Sequence, residues 1–229
     1  MSRVCVVFGA CGFLGSHLVD KLLAEGDFVV GVDDLSSGSI HNLDEVSENP
    51  NLEICVQDIN DSIEINRKVD VVFNAASLAS PKAYLADPIH TLITGSKGST
   101  NAIELALANS ARYIFFSTSE VYGDPIEHPQ RENYWGNVNP VGLRSCYDEA
   151  KRFGEALTMA YVREASLNAG IIRIFNTYGP RLKSDDGRAI SNFIVQGLQR
   201  KPYTVFGDGL QTRSFCYVSD LITAVQKFS

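Results

Sequence analysis

Short apolar runs punctuate the chain: "VCVVF" (4–8), "FVVGV" (28–32), "LEICV" (52–56), "DVVFNA" (70–75), "RYIFFS" (112–117) and "GIIRIF" (170–175). They are rich in β-branched and aromatic residues and do not alternate with polar ones. That pattern predicts strands buried on both faces of a parallel sheet. Between them, "LGSHLVDKLLAEG", "TNAIELALANS" and "YDEAKRFGEALTMAYVREAS" carry helical periodicity. Strand–helix alternation predicts an α/β chain, a doubly wound parallel sheet of Rossmann type. From residue 176 the pattern is irregular, with a helix expected at 189–199 and short strands near 203–206 and 213–217. The expected division is therefore a dinucleotide-binding domain over 1–175 and a smaller, irregular substrate-binding portion over 176–229.

The first expected strand runs into "GACGFLG", with Gly9, Gly12 and Gly15 at three-residue spacing and Phe13 and Leu14 opening the helix that follows. Glycine lets backbone approach a pyrophosphate, which sits where the free N–H groups of a helix N-terminus point outward. Asp33 ends the second strand eighteen positions after Gly15. A carboxylate there accepts from a ribose 2′-OH and repels a 2′-phosphate, so the expected cofactor is NAD and not NADP.

The fifth strand ends in "FSTSEVYGDP", and in open α/β sheets the ligand crevice lies beyond the strand C-termini. Thr118, Ser119 and Glu120 should face it, as three consecutive proton-handling side chains. Tyr147 and Lys151, in "CYDEAKR", are four apart on an expected helix and so share one face. A positive charge beside a phenol favours the phenolate, which would make Tyr147 a base close to neutral pH. His128 reads as a loop residue and the lone Trp135 as a packing residue.

Composition narrows the classes. The chain has 229 residues, 45% hydrophobic and 21% charged, as soluble globular proteins have. No apolar run approaches a membrane span, and the opening "MSRVCVVFGA" reads as a strand and not as a secretory leader. Five scattered cysteines without a CxxC pair suggest reduced thiols and a cytoplasmic setting, with no disulfide framework and no metal site. A net charge of −7 argues against nucleic-acid and membrane-surface partners. Locally the balance inverts: from Arg173 to Arg213 there are seven basic residues and three acidic ones, a candidate site for a small anion such as a phosphate.

These stretches resemble the extended short-chain dehydrogenase/reductase family, in its nucleotide-sugar-modifying branch. The resemblance rests on the Gly-rich turn, "DDLSSGS", "STSEVYGD", the Y-x-x-x-K of "YDEAK" and "RIFNTYGPR". Within the branch, "YWGNVNPVGLRSCYDEAKR", "FNTYGPRLKSDDGRAISNFI" and "FGDGLQTRSFCYVSDL" are most similar to the UDP-glucuronate decarboxylases. The resemblance implies that Tyr147 takes the sugar 4-hydroxyl proton, that Lys151 lowers its pKa and holds the nicotinamide ribose, and that Thr118 hydrogen-bonds the reacting oxygen. Ser119 and Glu120 would handle ring C5 and the carboxylate. Asp58, beside Ile59, matches an adenine contact, and Ala75, Ala76 and Ser77 would line the cofactor. Asn176, Arg181, Arg188, Asn192 and Arg213 match positions that hold the nucleotide diphosphate or its sugar. It also implies a homodimer through the helices near 89–108 and 147–164, with Ile103, Leu107, Leu157 and Tyr161 among its apolar residues.

The chain departs from the family in two places. "TGSKG" has Gly95 where Asn is common, and the sequence stops at Ser229, before a C-terminal segment that closes over substrate in relatives. A truncated substrate portion is therefore expected. Beside decarboxylation, a nucleotide-sugar 4-epimerase or 4,6-dehydratase and a non-catalytic binding form remain open on the sequence.

Overall fold

Each of the apolar runs becomes a strand in a computed structural model of the chain, which describes residues 2–229. β1 (Val4–Phe8), β2 (Phe28–Asp33), β3 (Leu52–Val56), β4 (Val71–Asn74), β5 (Arg112–Thr118) and β6 (Ala169–Ile174) form one sheet. Its order is β3-β2-β1-β4-β5-β6 with every neighbouring pair parallel. The order reverses between β1 and β4, and such a switch point opens a crevice at the strand C-termini.

Alternate residues of each strand feed two layers. Cys5, Val7, Val29, Phe73 and Ile114 join Leu18, Val19, Leu22 and Leu23 of α1 (Phe13–Ala24) on one face. On the other face Val6, Phe8, Val30, Val72 and Phe115 meet Ala102, Ile103 and Ala106 of α4 (Ser99–Asn109), and partly buried Leu157 and Tyr161 of α5 (Ser145–Ala165). These helices follow two short ones: α2 (Pro81–Ala86) and α3 (Pro88–Ile93), a π-helical turn (Thr94–Gly98), α4 (Ser99–Asn109) and α5 (Ser145–Ala165). α2 and α3 each start with a capping side chain, Ser80 and Asp87, followed by proline at the first helical position. No helix among the described residues is long and apolar enough to cross a membrane.

Past the sheet, β7 (Asn176–Tyr178) pairs in parallel with β8 (Phe215–Tyr217), with α6 (Ala189–Leu198) between them. α7 (Val218–Phe228) then returns to the first layer, where Val218, Ile222 and Val225 share the cluster of α1. Residue 175 thus marks where the main sheet ends, and the packing of the first layer continues beyond it.

Several expectations are corrected. The strand near 203–206 does not form: Tyr203, Val205 and Phe206 are exposed and have no ladder partner. Trp135 is 89% exposed and packs nothing. β3, at the sheet edge, is not buried on both faces, and Val56 projects into solvent. Ile103 is fully buried against the sheet, so it is not an interface residue of the outer helix faces.

Candidate active site

The switch point holds a cleft lined by Gly9, Gly12, Asp33, Asp58, Ile59, Ala75, Ala76 and Ser77, among others. Its walls fit a dinucleotide because side chains are missing where backbone must be approached. Gly9 has a positive φ of 78°, and a Cβ there would lie 2.9 Å from the backbone of Ala75 and Ala76. A Cβ at Gly15 would sit 1.9 Å from the Gly9 carbonyl oxygen, so the helix can enter this close to the turn only with glycine. Gly15 therefore acts from behind the cleft, while Phe13 and Leu14 pack against the core cluster of α1. The two oxygens of Asp33 accept from the backbone N–H groups of Cys11 (2.9 Å) and Leu35 (2.8 Å). Burial pushes its carboxyl above the ordinary value, and these bonds oppose that. Each oxygen keeps a further lone pair, so Asp33 can tie the turn to β2 and still accept from a ribose.

Other lining residues are not singled out by the sequence: Asp34, Ser36, Ser37 and Thr94, which lie in quoted stretches, and Gln57, Leu78 and His90, which no motif covers. His90 Nε2 is 3.7 Å from Asp34 Oδ2 and 3.4 Å from Thr94 Oγ1. Gly95, the departure from the family pattern, packs onto α5, where a Cβ would lie 2.5 Å from that of Ala150. A larger residue has no room there unless the helices separate.

At the other side of the crevice, β5 ends at Thr118 and a single helical turn, Ser119–Tyr122, follows. Thr118 Oγ1 caps that turn by accepting from the Glu120 N–H at 3.2 Å. The first turns of α5 place Tyr147 and Lys151 against this strand end, both buried. Thr118 lies close enough to the Tyr147 phenol to favour its charged form, and Glu120 and Arg188 lie near enough to bias its charge. The Lys151 Nζ donates to the Phe116 carbonyl at 2.8 Å and stands 6.0 Å from the Tyr147 ring centroid. Thr118, Glu120, Tyr147 and Lys151 are therefore brought together, with Ser119 in the same turn.

The electrostatics differ from the expectation of a ready phenolate. Burial pushes the Tyr147 phenol up to about 12, partly offset by Thr118, and burial pushes Lys151 down to about 8. Desolvation dominates the shift of both groups in this structure. Tyr84 of α2, absent from every motif, lies flat on Tyr147 with ring centroids 5.1 Å apart. Asp148, the next residue, is buried, and burial pushes its carboxyl up to about 6.

The basic segment is only partly gathered. Arg188 reaches the Tyr147 side while donating to Asp186 through Nε and Nη2. Arg181 instead donates to Asp20 of α1 at 2.7 Å. Asn176 donates to the Ser214 carbonyl (3.2 Å) and Asn192 to the Gly187 carbonyl (3.1 Å). Arg213 is exposed and bonds the neighbouring Thr212 carbonyl. The structure does not bring these five side chains to one point.

Known proteins agree with this geometry. The model of the NAD dependent epimerase/dehydratase family matches residues 5–228. UDP-glucuronic acid decarboxylase 2 of Arabidopsis thaliana is 50% identical over 222 residues, 97% of this chain and 49% of that protein. The chain thus spans about half the length of the curated relatives it matches. A UDP-glucose 4-epimerase from Thermotoga maritima, solved with UDP-glucose, superposes with a TM-score of 0.87 at 30% identity, over 97% of this chain and 72% of that one. A dTDP-glucose 4,6-dehydratase from Streptomyces venezuelae, solved with NAD, gives 0.87 at 26% identity, over 97% and 70%. Matched over nearly its whole length and built around the same cradle, the chain belongs to the NAD dependent epimerase/dehydratase family of extended short-chain dehydrogenases/reductases.

Proposed function

We propose that the chain carries out NAD-dependent decarboxylation of UDP-glucuronate to UDP-xylose through a 4-keto intermediate. The observation that carries this reading is the meeting of Thr118, Glu120, Tyr147 and Lys151 at one strand end, in a chain half identical to UDP-glucuronic acid decarboxylases. The epimerase and dehydratase named above share 30% and 26%, which gives those two activities weaker support.

Bound NAD supplies a hydride acceptor, regenerated in each cycle, and a positive ring that favours a phenolate. Tyr147 takes the proton of the sugar 4-hydroxyl as the C4 hydride departs. Lys151 holds the nicotinamide ribose and adds its charge beside the phenol. With a ketone at C4, the carboxylate on C5 is β to a carbonyl, so the C5–C6 bond breaks and its electron pair moves onto the C4 oxygen. Thr118 and Tyr147 hydrogen-bond that oxygen as an oxyanion hole does. A proton then adds at C5, where Ser119 and Glu120 face the ring. Tyr147 returns its own proton to the C4 oxygen when the hydride comes back.

The reading includes NAD in preference to NADP, through Asp33, with Gly9, Gly12, Ala75, Ala76 and Ser77 along the dinucleotide and Asp58 and Ile59 at its adenine. Arg188 is the best supported of the nucleotide-sugar contacts, and Asn176, Arg181, Asn192 and Arg213 must reorient to join it. A homodimer would use the exposed apolar residues Ile89, Leu92, Ile93, Phe153 and Met159 of α3, the π-helical turn's entry and α5. Five free thiols support a reducing, cytoplasmic setting. Incubation with UDP-glucuronate, following sugar nucleotides and carbon dioxide, tests the activity. UDP-xylose and carbon dioxide in equal amounts are expected, and an epimerised uronate without carbon dioxide would overturn it.

A further inference from the structure

Arg144 is the residue immediately before α5, and its guanidinium pairs with Glu120 on the turn after β5. Two buried polar atoms beside it have no hydrogen-bond partner among the described residues, the Tyr84 hydroxyl and Asp148 Oδ1. Both groups lie within electrostatic reach of the guanidinium, as does Glu120. Buried atoms left unpaired in this way ask for an explanation, and two around one guanidinium ask for a common one.

The cations near the Tyr147 end of the crevice are not equally free. Arg188 is engaged through two nitrogens with Asp186, whose side chain is only 7% exposed, so leaving it would strand a buried carboxylate. Lys151 is buried and bonded to a backbone carbonyl. The Arg144–Glu120 pair is between groups 52% and 34% exposed, and such a pair exchanges partners readily. A sugar whose C4 oxygen meets Tyr147 carries its carboxylate two bonds from C4, on C5, the ring atom that the proposed function assigns to Ser119 and Glu120. There it would face the Glu120 carboxylate, a like charge, unless a cation stands between them. A planar guanidinium with five N–H donors suits that place, because it can grip one carboxylate with two parallel bonds.

We propose that Arg144 recognises the carboxylate of the sugar, and that Glu120 holds the guanidinium until that carboxylate arrives. Asp148 and Tyr84 are the acceptors that steady the guanidinium as it changes partner, and Glu120 is released toward ring C5. Arg144 is thereby the residue that distinguishes a hexuronate from a neutral hexose. This inference rests on the reading of UDP-glucuronate as substrate.

The test is calorimetric binding of UDP, UDP-glucose and UDP-glucuronate to the NAD-loaded protein carrying Tyr147→Phe, which prevents turnover. We expect UDP-glucuronate to bind at least about tenfold tighter than UDP-glucose, as a bidentate charged contact provides. Arg144→Gln should erase that preference to within about twofold while UDP alone binds as before, and Arg144→Lys should keep part of it. Glu120→Gln should strengthen UDP-glucuronate binding severalfold, because the competing carboxylate is gone. Unchanged preference in Arg144→Gln, or weaker uronate binding in Glu120→Gln, would overturn the role of Arg144 and leave the substrate reading standing. A protein that binds UDP but shows no preference before Arg144 is altered would overturn the inference, and failure to bind any of the three ligands would overturn the substrate reading and the inference together. NAD affinity and the thermal transition identify a variant that has simply not folded, and in that case the Lys and Glu120 variants decide.

Discussion

At the dinucleotide end of the cleft the walls are backbone and small side chains: Gly9, Gly12, Ala75, Ala76 and Ser77 sit at strand ends held in register by the sheet. At the end proposed for the nucleotide sugar the polar groups are long side chains on loops. Arg181, Arg188 and Arg213 all lie past the last strand of the main sheet, and each bonds a partner within the chain. The first end is preorganised, so a dinucleotide binds it without displacing contacts. On the proposed reading the second end must give up bonds before it can receive a diphosphate, and that ordering reduces affinity. Cofactor binding should therefore be the robust property of this chain and substrate binding the conditional one.

The sharpest way to break that contrast is Gly15→Val. Its side chain would begin 1.9 Å from a backbone carbonyl, so α1 must shift away from the turn. NAD affinity should fall at least about a hundredfold by calorimetry, whereas Arg213→Ala should change it less than about twofold. Equal effects would erase the distinction between the two ends.

Lys151→Met separates function from stability. Removing an ammonium bonded in the site should weaken NAD binding roughly tenfold. The same change should raise the melting temperature at about pH 7, because burial holds Lys151 down to about 8 and its charged form is disfavoured in the fold. Between the folded value and the higher unfolded one, the unfolded chain binds more protons, so the unaltered protein gains stability as pH rises there. The advantage of the variant should shrink accordingly, and a constant gap would contradict the assignment.

Asp33→Ala should reduce the preference for NAD over NADP, expected at roughly tenfold or more, and also weaken NAD itself because Cys11 and Leu35 lose their acceptor. The smallest effect should be that of Asp148→Asn. Burial raises this carboxyl from 3.8 to about 6, so its contribution to stability is full in acid and is lost as pH rises through the folded value. The variant should melt higher than the parent at neutral pH and no higher in acid, followed by circular dichroism.

Much of this was legible in the chain. β1 and β3 have the limits that their apolar runs suggest, and the three glycines stand where the backbone needs them. These features are local: strand runs and close backbone approaches leave a residue-by-residue mark. Ser80-Pro81 and Asp87-Pro88 also mark helix starts, the second of them the helix that carries His90, but that His90 and Thr94 reach the cleft is set by packing and not by spacing. The stacking of Tyr84 on Tyr147 and the tie of Arg181 to Asp20 join residues far apart in sequence, and no spacing announces them. The run "YTVF" at 203–206 has strand composition but finds no neighbouring strand to pair with. The phenol of Tyr147 is displaced in the opposite direction from its motif reading because the motif names its neighbour and not its burial.

The central claim is that Tyr147 is the base of a hydride-transfer site. Tyr147→Phe keeps the ring that stacks on Tyr84 and removes the group that takes the C4 proton. In a single turnover of NAD-loaded protein with UDP-glucuronate, followed by NADH absorbance, the account predicts a fall in oxidation rate of about two to four orders of magnitude with NAD affinity nearly unchanged. Oxidation at the parent rate would contradict it and would leave Tyr147 and Lys151 as an ordinary pair on a buried helix face.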